Sequence, residues 1–430
     1  MQLKKDSNNK FFYGWIVVFA CMLIQAVPFG IAANVKPQFI QFVTQGEGFS
    51  LTQFSMVFTL GTIASAIASP FIGKILSKPN VNIKLMFTLG GLLSGGGFLL
   101  FAFAGSNIWL YYAIYGVVQV GTAVISAIGV PMLVTSWFSE NKGFAMGLAF
   151  SGGGMGNIIL QQLAAKLLNN PAIGYKGAYF IFGIISMAVA IPVALLLIRL
   201  PKANELSKNK DIDVDKKSEN VQLSGYTFNE AKSMKLFWIF ALSFLFVGLY
   251  VSGMSVQFSG YFYSIGLKPQ LVANIASLFA FVSIFGNLFG GVLFDKLGIR
   301  KSLILAGITV IGCGITLIFT PQINALGYIF AIGLGFSMFA YIIGPSYLTG
   351  ALFGNKEFGT ILGIVQVFFA FGFAFGSSLF GMVVDACSGN YIPAWIMVTI
   401  FAVFAYGSLL FSTAKINKLN QNKSANIDAA

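Results

Sequence analysis

Gly291-Val292-Leu293-Phe294-Asp295-Lys296-Leu297-Gly298-Ile299-Arg300-Lys301 places one acid, three bases and two glycines between two long apolar runs. Those runs, residues 270–293 and 301–320, each reach the roughly 20 mostly apolar residues that a helix needs to cross a bilayer. Two such runs joined by a short charged turn read as a membrane hairpin. The pattern repeats along the chain, giving spans near 13–36, 51–76, 84–104, 108–136, 143–167, 176–199, 235–262, 270–293, 301–320, 324–352, 358–384 and 392–414. Ser50-Leu51-Thr52-Gln53 adds a capping-box signal ahead of the second span. Composition agrees. Of 430 residues, 57% are hydrophobic and 9% charged, where soluble domains carry about 25% charged residues. Mean hydropathy is +0.82. The expected class is therefore an all-α integral membrane protein with twelve transmembrane helices, and a soluble enzyme or a nucleic-acid binder is excluded.

The net charge of +13 reads as topology. With the N-terminus placed in the cytoplasm, 22 of the 26 Lys and Arg residues fall in the tails, the even-to-odd loops and the central linker; only Lys36, Lys166, Lys176 and Lys268 lie elsewhere. That bias puts both termini in the cytoplasm of a multi-pass protein of the cell membrane. The three cysteines form no disulfide framework, and the absence of His and of metal-ligand spacing leaves no cofactor or metal to expect.

Residues 201–233 are the longest polar stretch. They divide the chain into a six-helix half at 1–200 and a second at 234–414, followed by a tail at 415–430. The halves repeat: Pro131, Asn141-Lys142 and Phe144 recur 214 residues later at Pro345, Asn355-Lys356 and Phe358. Trp15-Ile16 recurs as Trp238-Ile239, and Gly73 as Gly291. Two parallel six-helix repeats are the plan of one large group of secondary transporters.

The 291–301 turn resembles the loop motif of the major facilitator superfamily. Its first-half copy, Gly73-Lys74-Ile75-Leu76-Ser77-Lys78-Pro79-Asn80, has Ser77 in place of the acid. Tyr13-Gly14-Trp15-Ile16-Val17-Val18, together with Trp137-Phe138 leading into Lys142-Gly143-Phe144-Ala145-Met146-Gly147, is similar to the monocarboxylate transporter and oxalate:formate antiporter families. The resemblance implies two six-helix bundles around a central cavity, with the loop-motif residues Asp295, Lys296, Arg300 and Lys301 acting at the gate. A carboxylate facing a helix N-terminus is a modest, reversible latch, here leaning on Asp295. Carboxylate-carrying relatives place an Arg in helix eight and, in oxalate exchangers, a Lys in helix eleven. Those positions fall near Asn287 and near Val365 or Gln366 here. The monocarboxylate relatives also carry a Lys late in helix one, close to Lys36.

Polar side chains are costly in hydrocarbon, so their placement is informative. Spans three, six, nine and twelve carry no Asn or Gln, which makes them the lipid-facing support. The remaining spans supply the candidate substrate-binding residues Gln25, Gln119, Asn157, Gln161, Asn287, Tyr341 and Gln366, with Lys36 as the one candidate cation. Amides both donate and accept, and suit a carboxylate or a hydroxyl. Lys36, counted from residue 13 at 1.5 Å per residue, is expected about 34 Å up its helix, at the outer hydrocarbon edge. Gly61, Ser65, Ser69 and Gly73, with the glycine pairs of helices five, eight and eleven, form small-residue ridges that permit close helix packing. All acids lie in loops, tails or helix ends, so a proton would have to pass through Lys36, Glu47 or Asp385, or travel on the substrate. No phosphate-binding G-x-x-x-x-G-K-[ST] run exists. The expected function is secondary transport of small organic anions by alternating access, through exchange or proton linkage, with a monomer sufficient. An exporter or importer of amphipathic compounds such as drugs or bile-acid-like anions is the alternative.

Overall fold

The computed structural model describes residues 12–428 except 50, 79–80, 139, 203–204 and 206–224. Ser50 of the capping box, Pro79-Asn80 of the first loop copy, the N-terminal lysines and most of the linker lie outside the described residues. Six long helices precede the linker: α1 (residues 14–47), α2 (Leu51–Leu76), α3 (Ile83–Phe101), α4 (Ile108–Trp137), α5 (Lys142–Leu168) and α6 (Gly174–Leu196). After a short helix at Phe228–Ser233 come α7 (Lys235–Ser264), α8 (269–297), α9 (299–319), α10 (Leu326–Phe353), α11 (Phe358–Ala386) and α12 (Ile392–Asp428).

Among the described residues eleven helical stretches are long and apolar enough to cross a membrane, and one of them, Asn274–Phe319, has 46 residues. At 1.5 Å per residue it would measure about 69 Å, more than twice the ~30 Å hydrocarbon core. Gly298 divides it, with φ 76° and ψ 169°, a backbone state that only glycine adopts without strain. The stretch is thus α8 and α9, two crossings, and the total is twelve. Local chemistry fixes other starts. The side chains of Asn82 and Asn107 accept from Leu85 N–H and Trp109 N–H, capping α3 and α4. Thr227 and Glu230 form a reciprocal capping box on the short helix.

Two helices outrun their expected ends. α12 continues to Asp428 through residues assigned to the tail. α1 passes Lys36 and reaches Glu47 before Gly48 stops it in the left-handed conformation, φ 75°. Its middle is irregular: Gln25–Phe29 and Ile31–Val35 are π-helical, with Pro28 inside the first. A third π turn, Ala123–Ala127, interrupts α4 beside them.

The motif residues of the first helix are a structural clamp. Trp15 packs edge-on to Phe138 at 4.9 Å, Tyr13 Oη donates to the Leu197 carbonyl at 3.1 Å, and Trp137 Nε1 donates to the Arg199 carbonyl at 2.8 Å. The Arg199 guanidinium lies 3.9 Å from the Tyr13 ring centre and holds Glu205 through two 2.7 Å hydrogen bonds. These bonds are the main cause of a Glu205 pKa lowered to about 2. Together they bind the starts and ends of α1, α4 and α6 at the end of the bundle that carries the linker, called here the linker end.

Lipid tails are as apolar as leucine, so close packing rather than water exclusion holds such helices together. The predicted support helices pair within their halves. Gly91 and Gly95 of α3 face Ala190 and Met187 of α6, and Gly314 of α9 faces Thr399 of α12. The halves meet along two seams, α2 with α11 and α5 with α8. At the linker end the backbones touch: a Cβ on Gly73 would strike Gly359, and one on Gly143 would strike Gly291. Other ridge glycines turn to their own half: Gly152 and Gly156 face α1, Gly286 and Gly290 face α10, and Gly372 and Gly376 face α7. The small residues of one helix therefore divide by face, some joining the halves and some packing within one.

Candidate functional site

The irregular middle of α1 builds the site. A π turn accommodates an extra residue and often marks a functional position. Here two of them place Lys36 against α2 and α4, with Nζ 5.1 Å from the Phe58 ring centre and 5.4 Å from that of Tyr115. Facing rings attract an ammonium group through their quadrupoles. Lys36 is half-buried, and no carboxylate among the described residues pairs with it. The expectation that it ends its helix changes with the fold, because eleven further helical residues follow it (47 − 36). It stands inside the bundle wall rather than at the helix tip.

Two polar clusters flank this stretch of α1, one towards α5 and one towards α4. Gln161 Nε2 donates to the Asn34 carbonyl at 2.8 Å and to Asn157 Oδ1 at 3.0 Å. Gln38 Nε2 donates to the Gln161 side-chain oxygen, and Asn34 Nδ2 reaches the Gly153 carbonyl at 3.5 Å. Gln119 Nε2 donates to Tyr115 Oη at 2.9 Å, and Tyr115 Oη donates to the Ala32 carbonyl at 3.2 Å. Of the predicted residues, Lys36 and Gln119 thus meet at Tyr115 on the α4 side of α1, and Asn157 and Gln161 meet Asn34 and Gln38 on its α5 side. Gln25 lies deeper, 1% exposed, where its Oε1 accepts from Ser126 at 3.0 Å, so it joins the π turns of α1 and α4 to each other.

The second half contributes less polarity. Asn287 is 6% exposed in the α5–α8 seam, where a Cβ on Gly147 would strike its carbonyl, and its Oδ1 has no partner among the described residues. Tyr341 is half-buried and stacks on Phe369 with ring centres 6.3 Å apart. Gln366 is half-buried on α11. Phe58, Tyr115 and Gln38 belong to the site and were not singled out from the sequence. Only a helix continuing past Lys36 brings Gln38 within reach, and aromatic residues are too common in this chain to mark two of them.

The predicted gate divides. Asp295 accepts from Gly143 N–H at 3.0 Å and from Phe144 N–H at 2.9 Å, one bond to each carboxylate oxygen. It thereby caps the N-terminus of α5 from across the seam, where the helix dipole favours an anion. The Tyr347 hydroxyl also reaches it. Lys296, Arg300 and Lys301 stand exposed, and none forms an ion pair among the described residues. At the other seam Ser77 Oγ accepts from Gly359 N–H at 3.0 Å. The next residues are joined to the short helix, since Glu357 Oε2 accepts from Phe228 N–H at 2.8 Å.

At the distal end Glu47 closes the first half. Ser106 donates to it at 2.7 Å, Tyr175 donates to its other oxygen, and Lys176 pairs with it at 3.0 Å. Desolvation pushes its pKa up, but the hydrogen bonds from Tyr175, Ser106 and Lys176 and the Lys176 charge outweigh that and hold it below the usual carboxylate value.

The family described as Major Facilitator Superfamily matches residues 14–377 and 251–428. Monocarboxylate transporter 12 of Xenopus laevis is 23% identical over 96% of this chain and 92% of its own length. Monocarboxylate transporter 13 of Rattus norvegicus is 25% identical over 93% and 88%. The uncharacterized MFS-type transporter YhjX of Escherichia coli K12 is 25% identical over 75% and 77%. Among solved structures, FucP in the outward conformation aligns with a TM-score of 0.68 at 18% identity, covering 94% of this chain and 99% of its own. The proton:xylose symporter XylE aligns with a TM-score of 0.68 at 12% identity over 92% and 94%.

Proposed function

Given that the chain belongs to the major facilitator superfamily, we propose that it carries small organic anions of the monocarboxylate or oxalate/formate class by alternating access. It is a multi-pass membrane transporter rather than an enzyme. The observation that carries the substrate class is Lys36, a half-buried ammonium group set beside two rings with no carboxylate among the described residues to neutralise it. A fixed charge without a fixed counter-charge is costly in such a place, and a substrate carboxylate would supply the partner. The names of the relatives point the same way.

In this reading Lys36 holds the carboxylate, Gln119, Asn157 and Gln161 orient it, and Asn287, Tyr341 and Gln366 meet it from the other half. Gln25 supports α1 from behind. The halves, 1–200 and 234–414, rock about the substrate while the linker 201–233 spans them. Both termini sit in the cytoplasm of a cell-membrane protein, as the Lys and Arg bias requires. In this reading the backbone contact at the linker end closes the pathway towards the cytoplasm. Among the described residues the acids within the apolar helical stretches are Asp295, just before the Gly298 break, and Asp385, at the end of α11, and acids confined to helix ends favour exchange or facilitated movement over a carboxylate proton relay. Counterflow in proteoliposomes preloaded with lactate, formate, oxalate or a bile salt, with and without a pH gradient, tests this. Accumulation of a small carboxylate that is lost in Lys36→Gln supports it. Transport of the bile salt alone refutes the substrate class, and gradient-dependent uptake refutes exchange.

A further inference from the structure

We propose that the cleft at the linker end of the α2–α11 seam is a binding site for the headgroup of an anionic phospholipid. The cleft measures about 890 Å³ and is lined from both halves. Lys74 stands on the last turn of α2, Lys78 two residues beyond its end at Leu76, and Lys356 just before the N-terminus of α11. All three ammonium groups are exposed, and none pairs with a carboxylate among the described residues. The one acid in the wall, Glu357, already has an oxygen accepting from Phe228 N–H. The cleft is therefore a concentration of positive charge at the height where α2 leaves the membrane.

Its shape selects a lipid over a free anion. Ile67, Phe71 and Lys74 follow one another at four- and three-residue steps, the spacing of a single helix face, and Lys78 follows in the turn beyond it. Ile67 is 58% and Phe71 67% exposed. An exposed apolar strip thus descends through the membrane depth and ends in two lysines, with Pro70 and Ile364 completing the apolar wall. An acyl chain fits along the strip while its phosphate rests among the ammonium groups, the arrangement by which basic residues at a bilayer surface select anionic lipids.

The site also fills a specific gap. At the α5–α8 seam the carboxylate of Asp295 links the halves; at the α2–α11 seam its place is taken by the Ser77 hydroxyl, which accepts one bond. A phosphate bridging Lys74 and Lys78 of one half to Lys356 of the other supplies the missing anion from the membrane. The bound lipid then favours the state closed at the linker end, because parting the halves separates the three lysines.

The test uses the purified full chain in neutral detergent micelles and phosphatidylglycerol labelled on its acyl chain, with binding read by fluorescence anisotropy. Unlabelled phosphatidylglycerol should displace the probe, while phosphatidylcholine and inorganic phosphate at equal concentration should not. Combining Lys74→Gln, Lys78→Gln and Lys356→Gln should weaken binding on the order of 100-fold, about fivefold per lysine. Combining Lys235→Gln, Lys415→Gln and Lys418→Gln, which removes the same charge from exposed positions outside the cleft, should leave it within about twofold. Phe71→Ala should weaken displacement by phosphatidylglycerol and leave the melting temperature unchanged. Equal weakening by the two triple variants would overturn the site in favour of diffuse attraction. Full affinity in the first variant, or displacement by phosphate as effective as by the lipid, would overturn it as well.

Discussion

Replacing Asp295 by Asn removes one oxygen and the negative charge from a group that now accepts from two backbone N–H groups across the seam. The amide keeps one acceptor and turns its NH2 towards the other N–H, donor against donor. The loss is one charge-assisted bond, about 1.5–3 kcal/mol, plus the attraction of the α5 N-terminus for an anion, about 0.3–1 kcal/mol. A total of about 2–4 kcal/mol corresponds to a ratio of roughly 30 to 900. In the state with the halves parted these groups meet water, so the cost falls on the closed state alone. Ser77→Ala removes a single neutral bond worth about 1 kcal/mol, roughly fivefold. A reporter is available at Thr135, 7% exposed on α4 with Gly350 of α10 opposite it. After Cys21, Cys313 and Cys387 are replaced, Thr135→Cys should react with a maleimide at a rate proportional to the open population. Asp295→Asn should then raise that rate at least 30-fold and Ser77→Ala about fivefold. An unchanged rate in Asp295→Asn, or a larger effect from Ser77→Ala, would refute an asymmetric latch.

Three further outcomes are expected. Lys36→Gln should raise the KM for a transported carboxylate about 10- to 150-fold, the value of one charge-assisted bond, without lowering the melting temperature; an unchanged KM removes the anion-anchor role. Gly143→Ala forces a methyl group into the Gly291 carbonyl and should cost the closed state about 1–3 kcal/mol, seen as faster labelling at the same reporter. Glu47→Gln should lower the melting temperature at neutral pH. Because the folded pKa of Glu47 is depressed, its contribution is present above the unfolded carboxylate value, about 4.3, and is lost as pH falls through the lower folded value. Melting curves of variant and parent should therefore converge in acid, and a constant gap from pH 7 to pH 3 would show that charge plays no part.

The sequence carried most of the architecture because bilayer thickness and backbone satisfaction allow few solutions. The Gly298 turn separated two helices that length alone merges, and the four spans without amides are the ones that pair within their own halves, α3 with α6 and α9 with α12. Lys36 shows where such reading stops. A count at 1.5 Å per residue assumes an unbroken α-helix and takes Pro37 and the polar residues beyond it as the end, whereas tertiary contact with α4 and α5 holds two π turns and eleven more helical residues in place. Gln25 and Gln161 illustrate the same limit, since both are amides deep in spans and only the partner helix decides whether one braces α4 or joins the α1–α5 amide cluster. The small-residue ridges were legible as close-packing surfaces, but spacing does not say which half each glycine faces.

The π turns of α1 make the effect of a change in length depend on where it falls. Each residue of an α-helix advances the side chains by about 100°, so a deletion in regular helix turns everything beyond it by about a quarter of a circle. Each π turn holds one residue more than the regular spiral would, so deleting one residue within Gln25–Phe29 or Ile31–Val35 would let that turn relax to the tighter form and leave Lys36 on its two rings and Glu47 on Ser106, Tyr175 and Lys176. The same deletion between Lys36 and Glu47, where the helix is regular, would swing Glu47 away from all three partners although every side chain survived. The segment thus carries its own slack in length, and loss of one codon should be tolerated within the π turns and disabling just beyond them.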